Sequence, residues 1–381
     1  MNRTTSTKEV RSLAAVFSEL TDQRKPKGVR YQFHSMLILL SLAKLCFQDT
    51  ASEIADWVIN RSDLLKEKLD LKWKRMPSQS TWQRLLGQNI NSFEFDEKVG
   101  EYFQSLSSAE RQLYNLDGKV VCGSIDQQTD EQLHLLALQE AERNLVIEQR
   151  ALEMGENEIS GAKRLLERAD LTNKIVSGDA IFAQQELSKT VVEGGGEYLW
   201  KLRANQGGIY KEAVAHFEER ADRYLARARS VEKGHGRIEE REILTSFRIA
   251  GRLEFPYLEQ VFRITRRTEE VKTGHRREQT IYALTSLAVE EFDAKQLLTL
   301  TRKHWGIENG LHYRRDVTFK EDAIRQTTHN GGRVQAVLNN LTIGILRKLG
   351  WTNIAKARRY FSARIDEALY LIMNPIDCYF E

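Results

Sequence analysis

The spacing of apolar positions changes twice along the chain, from helical to alternating and back. Up to about residue 110 the period is helical: Leu13 to Leu20, Phe33 to Phe47 and Ala51 to Leu69 repeat apolar residues every three or four positions. The polar run Thr21-Asp22-Gln23-Arg24-Lys25-Pro26-Lys27-Gly28 divides the first two. Pro77-Ser78-Gln79-Ser80-Thr81-Trp82-Gln83-Arg84 then reads as a capped helix start with polar and basic residues on show. A helix-turn-helix that reads DNA has this look, and so does the surface of a small helical bundle. In the middle, Leu133 to Leu138 and Leu145 to Arg150 read as a strand pair, with Lys174 to Ser177 and Tyr198 to Leu202 as further strands. Between Gly207 and Leu284 a helix is followed by strands at Arg237 to Ile243, Leu258 to Arg266 and Thr280 to Leu284. The helical period returns from about Phe292 to Tyr313, where Leu297, Leu298, Leu300, Ile307 and Leu311 form an apolar face. A hydrophobic content of 41% over 381 residues is ample for a buried core in two or three units.

Three carboxylates stand out against that pattern. Asp179 closes the run Lys174 to Ser177 and precedes the helix-compatible stretch Ala183 to Lys189, which predicts a place at the carboxyl end of a buried strand. Strand ends are where α/β sheets bind ligands. Asp117 follows Tyr114 and Leu116 and precedes Val120 and Val121, which suits a strand, yet Asp117-Gly118 taken alone reads more readily as a hairpin turn. Glu308 shares the polar face of the third segment with His304 and His312 at i, i+4, i+8. If the fold gathers the three acids, they suit metal-dependent phosphoryl transfer. Hard divalent ions take oxygen ligands, and two of them can activate an attacking oxygen and stabilise a leaving one. Two other readings stay open: His304, Glu308 and His312 could hold zinc, although without the HExxH order, or form a solvated helix face with Trp305 packed inward.

Charge adds a partner class through its distribution. The net charge of +3 is only mildly basic. From Ala323 to Ile365, however, there is no Asp or Glu, while Arg325, Arg333, Arg347, Lys348, Lys356, Arg358, Arg359 and Arg364 all fall there. With Trp351, Tyr360 and Phe361 this stretch suits phosphate contact and base stacking, and an inert helix surface would look alike. Lys233-Gly234-His235-Gly236-Arg237 and the group Arg263, Arg266, Arg267, Lys272, Arg276, Arg277 are a second basic region. A Gly-flanked basic loop can approach a phosphate backbone, or be a plain hairpin turn. Cysteines 46, 122 and 378 form no CxxC pair, so neither a zinc ribbon nor a disulfide framework is indicated. The longest apolar run, Met36 to Phe47, is too short to span a bilayer and contains Lys44. With no signal-peptide core at the start, a cytoplasmic protein is expected.

Together the motifs resemble the H-repeat-associated family of insertion-sequence transposases, a branch of the DDE transposases. Arg302-Lys303-His304-Trp305-Gly306-Ile307-Glu308-Asn309-Gly310-Leu311-His312, continuing through Asp316-Val317-Thr318-Phe319-Lys320-Glu321-Asp322, is similar to the family's HWxIEN, LH and DVTFxED. Asn157-Glu158-Ile159, Gly178-Asp179-Ala180, Asn205-Gln206 and Lys233-Gly234-His235-Gly236-Arg237-Ile238-Glu239 occur in the family's order and spacing. Two departures are Cys122, where the family often has Arg, and Arg203-Ala204 in place of a Lys-Gly pair.

The resemblance implies an α/β (α+β) fold: a ribonuclease-H-like core at 111–206 and 285–350, a β-rich insertion at 207–284, an N-terminal helical domain at 1–110 and a basic helical tail at 351–381. It implies Asp117, Asp179 and Glu308 as the catalytic, metal-binding triad, holding two Mg²⁺ or Mn²⁺ ions. With the basic stretches, it gives as DNA contacts Arg203, Asn205, Gln206, His235, Arg237, Arg302, His304, His312, Arg315, Lys356, Arg358 and Arg359. The expected partner is double-stranded DNA, as element ends and target, bound by a homo-oligomer. The expected activity is strand cleavage at element ends and strand transfer. The alternatives are a DNA-binding protein that keeps the fold without transposing, and a structure-specific nuclease with the same core.

Overall fold

The computed structural model describes residues 10–107, 110–125, 132–153, 155–219, 225–234, 236–304, 311–325 and 328–380, at 205, 219, 329 and 380 through the backbone. Among them a single sheet is built from β1 (Gln112–Ile125), β2 (Gln132–Glu140), β3 (Leu145–Ala151), β4 (Lys174–Gly178), β5 (Glu197–Leu202), β6 (Ala226–Gly234), β7 (Arg237–Ser246), β8 (Gln260–Glu270) and β9 (Arg276–Thr285). The order is β3-β2-β1-β4-β5-β9-β8-β7-β6. β1, β2 and β3 are antiparallel, and β4 and β5 run parallel to β1. This half has the ribonuclease-H-like arrangement. β9 joins it antiparallel to β5, and β8, β7 and β6 extend the same sheet as a meander. The strands from Ala226 to Thr285 therefore continue the same sheet as β1 to β5. β4 is buried along its whole length, as a strand covered on both faces must be.

Alternation along the strands sorts side chains to two faces. Tyr114, Leu116 and Val176 belong to the larger core, which takes in the N-terminal helices α1 (Leu13–Ser18), α2 (Phe33–Leu45), α3 (Ala51–Asn60), α4 (Ser62–Lys68), α5 (Gln79–Arg84) and α6 (Ser92–Ser105). α7 (Glu158–Arg168) and α8 (Gln185–Glu193) join this core, and α9 (Gly207–Glu219) adds Ala213 and Phe217. On the other face, Leu113, Ile175, Leu199, Phe262 and Ile264 pack with Leu297 and Leu298 of α10 (Ala294–His304). α10 starts where the side-chain oxygens of Asp293 and Gln296 each accept the other's backbone N–H, a reciprocal cap that satisfies two orphan donors. The chain ends in α11 (His329–Lys348), α12 (Ile354–Ala363) and α13 (Ile365–Met373), whose apolar residues Leu338, Phe361 and Leu371 enter the larger core. No helix among the described residues is long and apolar enough to cross a membrane.

One local expectation is corrected. Asp117-Gly118 is no turn: β1 runs straight through it, with Asp117 opposite Ala137. A Cβ at Gly118 would stand 2.9 Å from Glu158 Oε1 and 3.0 Å from His134 Nε2, two side-chain ends that pair with each other. β6 is a strand unmarked by any apolar alternation, since nearly all of it is exposed and its register comes from pairing with β7. The expected helix from Phe292 to Tyr313 is described as α10 up to His304, with a π-helical turn at Arg314–Thr318, and residues 305–310 lie outside the described residues.

Candidate active site

Register builds the site. β1 and β4 pair in parallel from Gln112 with Lys174 to Leu116 with Gly178, and β4 and β5 pair from Ile175 with Glu197 to Gly178 with Trp200. On the α10 face this aligns Asn115, Ser177 and Leu199. The next rung on that face, just past the end of β4, is Asp117, Asp179 and Lys201. Period two thus turns an apolar strand face polar and then acidic within four residues. Lys201 Nζ lies 2.7 Å from Asp179 Oδ1, and an Arg203 guanidinium nitrogen lies 3.8 Å from Oδ2.

A buried hydrogen-bond chain sets the other side of Asp179. Asn115 Nδ2 donates to the Lys303 carbonyl (3.3 Å), Ser177 Oγ donates to Asn115 Oδ1 (2.7 Å), and Ser177 Oγ lies 2.9 Å from His304 Nδ1. Asn115 and Ser177 are completely buried. The chain presents His304 Nε2 to Asp179 Oδ1 at 3.4 Å. The hydrogen bond from His304 and the positive charge of Lys201 together outweigh burial and hold Asp179 well below the usual carboxylate range. It is an anion at any physiological pH.

Asp117 is held separately. Its Oδ1 accepts the Gly118 N–H (2.9 Å), and His312 Nε2 stands 3.4 Å from Oδ2. Both aspartates keep partial exposure, 28% and 37% of their side chains, so a ligand can reach them. Two neighbouring carboxylates are hard oxygen donors, which suits magnesium or manganese better than zinc. The two histidines face different carboxylates on different strands, an arrangement that does not favour one zinc set along a single helix. Glu308 lies outside the described residues.

Beside Asp179 opens a cleft of about 610 Å³, lined by Lys201, Arg203, Tyr210, Arg266, Gln279 and Tyr282 among others. Arg266 and Gln279 also line a second hollow with Arg237, Thr268, His275 and Arg277. With Glu270 as the one acid of the second hollow, the two form a mainly basic path from Asp179 out across β8 and β9.

The expected DNA contacts divide. Arg203 and Arg237 are exposed along this path. Arg302 is partly exposed and pairs with Glu232. Gln206 works as a clip, accepting from the Arg203 N–H and donating to the Ala180 carbonyl. Lys356 and Arg359 are exposed on α12. His235 and the side chain of Asn205 lie outside the described residues.

Three expectations fail on burial: His304, buried and turned to Ser177 and Asp179, and two arginines. Arg315 is fully buried and bound to buried Glu321 (2.8 Å). Arg358 is fully buried, donates to the Lys44 carbonyl and Asp49, and lies between the Phe47 and Phe319 rings. Neither guanidinium can reach a phosphate. Trp351 likewise packs on Tyr360 and Phe361, and Phe361 is completely buried, so base stacking on that ring is excluded. Sequence reading missed Asn115, Ser177 and Lys201. The signal was present in the equal offsets of the strands, but it becomes readable only once the strand order is known.

Residues 131–345, more than half of the chain, match the family described as Transposase DDE domain. Residues 14–103 match the one described as DDE_Tnp_1-associated. The chain is similar to YncI of Escherichia coli O157:H7, a transposase by name, at 25% identity over 348 residues, or 89% of this chain and 88% of the relative. It is similar to the H repeat-associated protein YhhI of Escherichia coli strain K12, also a transposase by name, at 24% identity over 346 residues, or 89% and 91%. A piggyBac transposase synaptic complex with hairpin DNA matches with a TM-score of 0.46 at 9% identity, over 98% of this chain and 78% of that one.

Proposed function

The chain belongs to the transposase DDE domain family, and from that premise we propose that Asp117 and Asp179, with Glu308, are its catalytic carboxylates. Insertion-sequence transposition is the function, DNA the partner, and divalent-metal dependence goes with the family. The observation that carries the assignment is the rung of Asp117, Asp179 and Lys201 at the end of β4. The three carboxylates would hold two magnesium or manganese ions. Bound there, such ions make water or a 3′ hydroxyl a stronger nucleophile and offset charge on the leaving oxygen.

The remaining roles belong to this chain's own residues. His304 holds Asp179 in orientation through a hydrogen bond, and His312 stands beside Asp117. Lys201 and Arg203 stand where a scissile phosphate would approach Asp179, and Arg266, Arg237 and Arg277 continue the positive path for the DNA backbone. Exposed Gln79, Ser80, Gln83 and Arg84 on α5 are candidates for reading element ends. Exposed Lys356 and Arg359 would add backbone contacts. We take the working form to be a homo-oligomer that brings two ends together.

The test is to incubate the protein with magnesium and a supercoiled plasmid carrying its gene with the native flanking DNA, plus a second target plasmid. Nicks at the element ends and joined products support a transposase. Cuts that follow DNA branching regardless of sequence would indicate a nuclease, and binding without nicks a protein that no longer transposes.

A further inference from the structure

We propose that Lys119 is a positioning residue that clamps residues 311–324 onto the strand that carries Asp117. The proposal rests on the reading of Asp117 as a metal-binding carboxylate. Lys119 lies two residues beyond Asp117 on β1 and so shares its face. Its ammonium stands 2.5 Å from Asp316 Oδ1 and 3.4 Å from Asp322 Oδ2, and only 9% of its side chain is exposed.

The backbone extends the contact. The Cys122 N–H donates to Asp322 Oδ1 at 3.1 Å. At Gly123 the strand runs so close to the segment that a Cβ would stand 2.7 Å from the Ile324 carbonyl oxygen and 2.8 Å from that of Asp322. Only glycine fits there, so β1 and residues 321–324 lie in direct backbone contact.

The segment itself is stiff. Arg315 and Glu321 pair inside it, both buried, and Asn339 of α11 donates to Glu321 Oε1 at 2.8 Å. Asp316, Glu321 and Asp322 bring their carboxylates within 4.8 Å of one another. Two of them turn to Lys119 and the third to Arg315, so two cations offset three clustered negative charges without a metal.

The functional consequence follows from His312. It stands at the start of the same segment, with Nε2 3.4 Å from Asp117 Oδ2. Asp117 is therefore bracketed by two contacts between the same two pieces of chain, His312 before it and Lys119 after it. A largely buried ammonium shared by two carboxylates is stronger than an exposed pair. Losing it would free Asp316 and Asp322 to repel each other, release the segment from β1 and shift His312 against Asp117.

The experiment compares Lys119→Met, Lys119→Arg and the charge-swapped pair Lys119→Asp with Asp316→Lys. The first readout is hydrogen exchange on the full-length protein. The clamp predicts faster exchange across residues 311–324 in Lys119→Met, with β4 unchanged and protection regained in the arginine and swapped variants. Unchanged protection in Lys119→Met overturns the proposal, whether or not the wild type nicks DNA.

The second readout is nicking of the plasmid carrying the gene and its flanks. Lys119→Met should slow it on the order of a hundredfold, the cost of an ångström-scale misplacement, and raise the magnesium concentration for half-maximal rate. Plasmid binding should stay intact. A slowed rate with an unaltered magnesium requirement and weaker plasmid binding would make Lys119 a DNA contact and overturn the clamp. An inactive wild type whose exchange pattern behaves as described would count against the transposase reading and leave the clamp standing.

Discussion

Asp117 and Asp179 stand side by side one step beyond Leu116 and Gly178, the last register pair of two parallel strands. The offset of 62 residues that pairs Gln112 with Lys174 also separates the two aspartates. β4 ends there while β1 continues, so the acids meet where the sheet opens. Ligands bind at such switch points because strand ends leave polar groups without a neighbouring strand. Lys201 completes the rung from β5, and His304 reaches it from α10.

The histidines orient carboxylates in this account and need no metal of their own. His304→Ala and His312→Ala should each slow DNA cleavage. Protein purified without added zinc should contain none in stoichiometric amount, by elemental analysis. One zinc per chain, absent from His312→Ala, would instead favour a zinc site along that segment.

Within one helical turn, α12 separates structural from candidate DNA-binding cations. Burial alone would raise Asp49, but Lys44 and Arg358 hold it below its ordinary value, so Arg358 faces an ionised carboxylate. Arg358→Met should cost roughly 3–5 kcal/mol of unfolding free energy, as expected when one partner of a buried pair is removed. Replacing Lys356 and Arg359 with Ala should leave the melting temperature nearly unchanged. It should weaken binding to any duplex and flatten the salt dependence by up to roughly 0.9 in log–log slope for each phosphate no longer neutralised. An unchanged slope would make these residues plain surface.

Stability should also depend on pH through Glu148. Burial, against the opposing charge of Arg168, pushes its carboxyl up to about 7, from 4.5 in the unfolded chain. Asp96, nearby, is raised by burial and by Glu148. The folded protein therefore holds a proton that the unfolded chain releases. The stabilisation is full below about pH 4.5 and is lost as pH rises through about 7, amounting to up to roughly 3 kcal/mol. Denaturant titrations across that window should show stability rising as pH falls, and Glu148→Gln should flatten the trend. An identical pH profile in the variant would place Glu148 in contact with water.

Much of the fold could be read before the structure because it follows from period. The helices near Leu13, Phe33 and Ala51 and the strands near Leu133, Leu145, Lys174 and Tyr198 all declare themselves by apolar spacing. Asp117-Gly118 misled because a local turn signal is overridden by long-range strand pairing, which sets Asp117 opposite Ala137 and Gly118 opposite Leu136. The acid-free C-terminal run misled for a different reason. Charge counts do not show direction, and Arg358 points inward, where Asp49, 309 residues away, completes it. Lys201 went unnoticed because only strand order puts it beside Asp179.

The most direct test of the central claim is metal-dependent cleavage by carboxylate variants. Purified Asp117→Asn, Asp179→Asn and Glu308→Gln proteins are assayed with magnesium or manganese on the plasmid carrying the gene and its flanking DNA. Binding of the same DNA is measured in parallel. The account predicts that all three bind nearly as the wild type does and cleave nothing, because the basic path is intact while the acids cannot hold metal. Robust cleavage by Asp179→Asn, in a preparation free of host nuclease, would contradict it.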